Sequence, residues 1–348
     1  MFRIGDREIG PHVRPYLIAE MSGNHNQSLQ RALAIIDAAA DAGADAIKIQ
    51  TYTADTMTLN VDAPGFVIED KESLWSGRRL YDLYQEAHTP WEWHKPIIEH
   101  AAARGLHCFS TPFDDTAVDF LEELGVPAYK IASFEVTDLP LIRRVARTGK
   151  PMIVSTGMAS VGEIDEAVST ARSYGCRDLV LLKCTSTYPA TPVNTNVTTI
   201  PNMRLTFGCE VGLSDHTMGC GVAIAAVAMG ASVIEKHFTL RRADGGVDSA
   251  FSLEPQEFHM LRVESERAWQ GLGTVTYGGT KAEEKSRMFR RSLYISADLR
   301  RGDVLTPANV RIVRPGFGLP PKFYDLVLGS RVNRDVTVGT PISWELLR

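Results

Sequence analysis

The sequence predicts an α/β architecture, a (β/α)8 TIM barrel followed by a small β-rich domain. Three observations carry this. Eight short β-branched or apolar runs recur between helix-like stretches, and after the second their spacing is roughly 20–30 residues, one strand–loop–helix–loop unit. A Gly-rich and then charged stretch, residues 272–290, breaks the pattern. The charge also divides near there. From Lys285 onward twelve Lys/Arg stand against five Asp/Glu, so the net charge of -5 splits into +7 for the tail and -12 for the rest. The expected organisation is a barrel over 1–272, a linker over 273–290 and a β-rich module over 291–348. A doubly wound open sheet fits less well, because no GxGxxG follows the first strand.

Taken in order, each run ends in polar residues, as strand ends do on the catalytic face of a barrel. YLIAE (16–20) ends in Glu20 and is followed by SGNHN and the amphipathic SLQRALAIIDAAADAG. In AIKIQ (46–50) the period of two puts Lys48 and Gln50 on one face. Residues 51–89 carry Trp75, Tyr81, Tyr84, Glu69 and Asp70 and form an insertion expected to cover the site. HCFST (107–111) ends in Ser110 and Thr111, and AYKIA (128–132) holds Lys130 with Ser133 and Glu135 beyond it. PMIVS (151–155) ends in Ser155, and LVLLKC (179–184) leads to Ser186. LTFGCEVG (205–212) runs into Ser214, Asp215 and His216, and VIEKHF (233–238) holds Glu235 and His237 on one face. In the tail, SLYIS, VLT, VRIV and VGTPI read as short strands between Gly, Pro and Asp.

Composition removes several classes. With 348 residues, 44% apolar and 23% charged, disorder, collagen and coiled coil are out as the main architecture. The slightly acidic balance gives no basic field for nucleic acid or a membrane surface. Five cysteines without a CxxC pair read as free thiols in a reducing compartment. MFRIGDREIG lacks an apolar signal core, and the uncharged run from Thr217 to Ile234 is too interrupted by glycines to span a bilayer, so a cytoplasmic protein is expected.

Inward lysines at one barrel mouth repel unless an anion or carboxylates neutralise them, and a phosphate-bearing substrate is the economical neutraliser. Lys48 and Lys130 with Ser133, Ser155, Ser186 and Ser214 offer two charges and several hydroxyls to a phosphate monoester. Lys183 reads as a structural pair and stays outside the site. His216 and His237, at adjacent strand ends, are the metal-ligand pair, with Asp215 holding a coordinated water or orienting His216. Two imidazoles completed by oxygen ligands favour Mn²⁺ or Mg²⁺.

AEMSGNHN, KIQTYTADT, FSTPFD, YKIAS, STGM, LLKCTSTYP, GLSDHT, EKHFTL and VRPGFGLPP together resemble the nonulosonic (sialic) acid synthase family, whose barrel is followed by an antifreeze-like (SAF, β-clip) module. SLWSGRRLYDLYQEAHTPWEWH and GGVDSAFSLEP look like its pseudaminic branch. The resemblance implies a C–C bond-forming transferase. Phosphoenolpyruvate would condense with the open-chain aldehyde of an N-acetylated amino sugar, 2,4-diacetamido-2,4,6-trideoxy-L-altrose, releasing phosphate. C3 of the enol phosphate attacks an aldehyde polarised at the His216–His237 pair, positive charge develops at C2 near Glu20 or Glu135, and water adds there. Carried over by position, the donor contacts fall on Lys48, Thr111, Lys130, Ser133, Ser155, Ser186 and Ser214. Gln50, Tyr188 and Asp248 fall near the sugar, with GGVDS where the neuraminate enzymes carry a PGPD-like string. Arg314, in VRPGFG, would enter the partner's barrel in a domain-swapped homodimer, a docking that the opposite charges of tail and barrel favour. Alternatives are an N-acetylneuraminate or legionaminate synthase, another phosphate-using barrel lyase, or a carbohydrate-binding module on a barrel scaffold.

Overall fold

In the computed structural model, which describes residues 2–348, the chain enters through an antiparallel hairpin (β1, Phe2–Ile4; β2, Arg7–Ile9) that the sequence reading does not anticipate. It then winds eight parallel strands into a closed barrel: β3 Tyr16–Glu20, β4 Ala46–Thr51, β5 His107–Pro112, β6 Tyr129–Ile131, β7 Met152–Ser155, β8 Leu179–Cys184, β9 Glu210–Asp215 and β10 Val233–His237. The ring closes because β10 pairs on both sides, with Val233 opposite Tyr16 and Gly212. A Cβ at Gly212 would stand 2.2 Å from the Val233 carbonyl oxygen, so only glycine permits this approach. The hairpin sits at the opening end of the strands. Its Gly5, with φ of 58°, lies against His107, which bonds Tyr16 at 2.8 Å and Asp6 at 2.9 Å.

Helices between the strands start where the sequence supplies caps. Ser28, Asp114, Asp138 and Ser160 accept amides from the first turns of Leu29–Asp41, Asp115–Glu123, Leu139–Ala146 and Val161–Ser173. Their apolar faces, for example Ile35, Ile36 and Ala39, close over outward strand residues such as Ile47 and Ile49 in one core. Each such fully buried isoleucine contributes roughly 1.5–3 kcal/mol.

One strand starts later than its sequence signal. Residues 205–207 finish the helix Thr199–Phe207, Gly208 turns with φ of 58°, and β9 begins only at Glu210. Residues 205–207 fit that helix because Phe207 turns into the core while Leu205 faces out, and so short a run does not separate helix from strand. The insertion over 51–89 holds a short helix Ala54–Met57, a bridge between Val67 and Arg79, and the helix Leu80–Ala87.

The chain divides into Met1–Gly273 and Thr274–Arg348. The first unit ends with the helix Pro255–Leu272. In the second, a 3-10 helix Lys281–Phe289 runs through what composition reads as linker. Strands β11 Ser292–Ile295 and β12 Val310–Val313 then pair antiparallel. VLT and VGTPI supply only the isolated bridges Val304–Arg331 and Tyr294–Pro341. A core of its own, including Leu293, Leu305, Val332 and Ile342, holds this unit. Among the described residues no helix is long and apolar enough to cross a membrane.

Candidate active site

The C-terminal ends of the barrel strands open into one cavity of about 400 Å³. Glu20, Lys48, Gln50, Lys130, Ser133, Glu135, Ser155, Ser186, Tyr188, Ser214, His216, His237 and Asp248 all line it. The period of two gathers the strand residues Glu20, Lys48, Gln50, Lys130, Ser155, Ser214 and His237, and the loops that follow the strands bring in the others.

At its floor, Lys48 Nζ lies 2.6 Å from Glu20 Oε2, 3.1 Å from Thr111 Oγ1 and 3.9 Å from Glu235 Oε1. Thr111 thus stands behind Lys48 and reaches the cavity through it. Lys130 Nζ lies 3.4 Å from the same Glu235 oxygen, to which Ser214 donates at 3.2 Å. This corrects the expectation that a phosphate neutralises the lysines: Glu20 and Glu235 already do so. Burial pushes Glu235 up, yet Lys130 and Lys48 together hold it below its ordinary range. Glu20 is raised by burial in spite of Lys48. Lys130 is lowered by burial, with Lys48 adding to it.

A second network lies beside it. Gln50 Nε2 donates to Glu20 Oε1 at 2.9 Å and to Ser22 Oγ at 3.1 Å, and Ser22 in turn donates to Asp248. Asp248 is raised by burial, and its Oδ2 stands 3.7 Å from His237 Nδ1. The ring centroids of His216 and His237 are 5.3 Å apart, and the Tyr188 ring packs at a tilt 4.6 Å from that of His216. Burial drives His237 well below the ordinary histidine range, which keeps it neutral. Glu135 Oε2, Ser155 Oγ, Glu235 Oε2 and His237 Nδ1 are buried with no hydrogen-bond partner in the chain, so each is open to a ligand or water. Glu135 is pushed up to about 7 by burial.

Two sequence-selected residues lie elsewhere. Asp215 does not face the cavity: it pairs with Lys236 at 3.0 Å, both side chains fully buried, so it neither holds a water there nor bonds His216. The strand alternation that turns Ser214 inward turns Asp215 outward. Arg314 is exposed in the second unit, on a loop that Ser292 fixes by donating to the Pro315 carbonyl and accepting the Gly318 amide. Lys183 bonds the Cys184 carbonyl at 2.8 Å rather than a carboxylate.

Sequence reasoning gave Glu235 no role, although its shared face with His237 was the signal that marks it. Ser22 carried no such signal: it reaches Asp248 only because its backbone adopts φ of 46°, a left-handed conformation uncommon for serine. Among the described residues no three His, Cys, Asp or Glu side chains assemble as a metal-ligand set.

Residues 35–277 match the NeuB family, and residues 290–348 match the SAF domain. A pseudaminic acid synthase from Campylobacter jejuni is 46% identical over 324 residues, 93% of this chain and 94% of the relative. A pseudaminic acid synthase from Helicobacter pylori is 42% identical over 330 residues, 94% of this chain and 96% of the relative. Among solved structures, an N-acetylneuraminic acid synthetase from Leptospira borgpetersenii, in complex with citrate, superposes with a TM-score of 0.73 at 33% identity, covering 82% of this chain and 94% of that one. With more than half of its length inside the family's span and relatives of this identity along nearly all of it, the chain belongs to the NeuB family.

Proposed function

We propose that the protein condenses phosphoenolpyruvate with 2,4-diacetamido-2,4,6-trideoxy-L-altrose to give pseudaminic acid and phosphate, a C–C bond-forming transfer of the EC 2.5.1 kind. The observation that carries this is the convergence of two lysines, four serines, a raised carboxyl and two adjacent imidazoles on one cavity. The relatives named pseudaminic acid synthase support the choice of sugar.

The donor's phosphate and carboxylate bind Lys48 and Lys130 and the hydroxyls of Ser133, Ser155, Ser186 and Ser214, with Thr111 orienting Lys48. Gln50, Tyr188 and Asp248 hold the acceptor. C3 of the donor attacks the aldehyde carbon, and the proton that Lys48 shares with Glu20 across their 2.6 Å contact, on the acceptor side beside Gln50, passes to the oxygen that becomes hydroxyl. Cationic character at C2 is met by Glu20 and Glu235. Ionised Glu135, next to Lys130 in the charge pattern, takes the proton of the water that adds at C2. The C2–O bond to phosphate then breaks as the C2 hydroxyl becomes the keto group, its proton leaves with the phosphate, and the lysines stabilise the departing hydrogen phosphate dianion.

The residues fit a divalent cation, Mn²⁺ or Mg²⁺. His237 is neutral with a buried Nδ1 that bonds nothing, and His216 is its ring neighbour. When bound there, the ion supplies Lewis acidity at the aldehyde oxygen.

We further infer a homodimer in which Arg314 of one copy completes the barrel of the other. In support, Phe134, Met158, Val193 and Met218, on loops after β6 to β9, are exposed at the rim. The working division is a barrel to 272, a linker to 290 and the SAF module beyond. A cytoplasmic setting suits five free thiols and a glycolytic donor.

The test is incubation with phosphoenolpyruvate, Mn²⁺ and a panel of N-acetylated amino sugars, following phosphate release and product mass. The diacetamido altrose is expected to turn over fastest. Preference for N-acetylmannosamine or the legionaminate precursor transfers the chain to those synthases, and absence of donor-dependent phosphate release with every sugar rejects the reaction.

A further inference from the structure

The chemistry above leaves Asp215 and Lys236 unused, yet this pair is fully buried. Lys236 Nζ donates to Asp215 Oδ2 at 3.0 Å, to the Thr217 carbonyl at 2.5 Å and to the Gly219 carbonyl at 2.8 Å. An ammonium has three N–H donors, and all three are used. Asp215 Oδ1 accepts the Thr217 amide at 2.9 Å. Both residues that flank His216 are therefore fastened to one ammonium on the neighbouring strand. The β9–β10 register sets Lys236 opposite Asp215, and alternation along β10 turns Lys236 away from the cavity that His237 faces. On its other side His216 is held by its Nδ1 against the Thr185 carbonyl at 3.0 Å and by its own carbonyl, which accepts the Ala190 amide at 3.0 Å.

We infer that Lys236 is a positioning residue. Its ammonium clamps the loop Asp215–Gly219 to β10 and so holds the His216 imidazole beside that of His237. A buried ion pair gives a fold little net stability over well-packed apolar groups, so its contribution here lies in geometry. This rests on the reading of His216 and His237 as the cation pair.

The test uses full-length protein freed of metal. Mn²⁺ affinity is read by electron paramagnetic resonance of the free ion, phosphoenolpyruvate affinity by calorimetry and fold by circular dichroism and Tm. Asp215→Asn/Lys236→Met removes both charges together. It is expected to stay folded, to bind Mn²⁺ at least about tenfold more weakly, the usual loss when a metal ligand's orienting partner goes, and to bind phosphoenolpyruvate as the wild type does. Asp215→Asn alone, which keeps an acceptor for Lys236, is expected to retain Mn²⁺ affinity, and it decides the matter if the double variant does not fold: loss in this variant points to charge rather than clamp and overturns the inference. Wild-type Mn²⁺ affinity in the folded double variant overturns it as well. Mn²⁺ binding to wild type that His216→Ala leaves unchanged removes the cation pair itself, and the clamp's role with it.

Discussion

Glu135 couples the chemistry of the site to the stability of the fold. It lies just past β6 with Oε2 buried and unbonded, and burial lifts its carboxyl to about 7. Between about pH 4.5 and 7 the folded protein keeps the proton that the unfolded chain has lost. Stability is therefore fully present below that window and falls as pH rises through it, by at most about 3 kcal/mol. If Glu135 is the base proposed for the attacking water, turnover runs the other way, and kcat/KM should fall as pH drops below about 7. Glu135→Gln is expected to flatten the stability slope, giving a higher Tm than wild type at pH 8 and an equal one at pH 5, while turnover is lost at every pH. A thermal melt series and a pH–rate profile measure both. A Tm gap that does not change with pH would mean that the carboxyl titrates in its ordinary range.

At the scale of elements, the insertion after β4 forms an apolar stretch of cavity wall. Ile68 N bonds Arg78 O at 2.9 Å and Leu80 N bonds Phe66 O at 2.9 Å, so the segment is a folded arm. Trp75 at its tip donates to the Val247 carbonyl at 3.0 Å and packs 5.8 Å from Tyr188. Ile68, Leu80, Leu83 and Tyr84 line the cavity with it. A deoxy methyl and acetamido methyls gain from such a wall, whereas the donor's anionic groups do not. Trp75→Ala should therefore raise the acceptor KM about tenfold, the effect of losing one good apolar contact, and leave the KM of phosphoenolpyruvate unchanged. Steady-state kinetics with each substrate varied checks the split; an equal rise in both KM values refutes this role. The arm was legible as an insertion because it interrupts an otherwise regular spacing. Its hairpin form was not, since no alternation marks it. The strand ends were legible because a closed parallel barrel forces period-two sorting, which places Lys48, Gln50 and His237 without reference to anything distant. Asp215 falls outside the site by the same rule: alternation along β9 turns it away from the face that Ser214 and His216 share, and the register sets it against Lys236 instead. Ser22 depends on a left-handed backbone and on partners, Asp248 and Gln50, that lie far along the chain.

At the scale of the whole molecule, each unit has its own buried core, and the charges of tail and barrel are opposite in sign. The barrel to Gly273 should thus fold alone, with a cooperative melt, and still turn over poorly if Arg314 supplies a group to the acceptor. Whether that group comes from the same chain or from a partner is decided by mixing. Arg314→Ala and His216→Ala proteins should each be nearly inactive. In a heterodimer of the two, the barrel of the Arg314→Ala chain keeps its imidazoles and receives Arg314 from the other copy. Random reassociation of equal amounts makes half of the dimers mixed, each with one complete site, so about a quarter of wild-type activity should return. Activity that stays at the sum of the two parents would place Arg314 in its own chain's site or outside catalysis, and a monomer by light scattering would rule out the exchange.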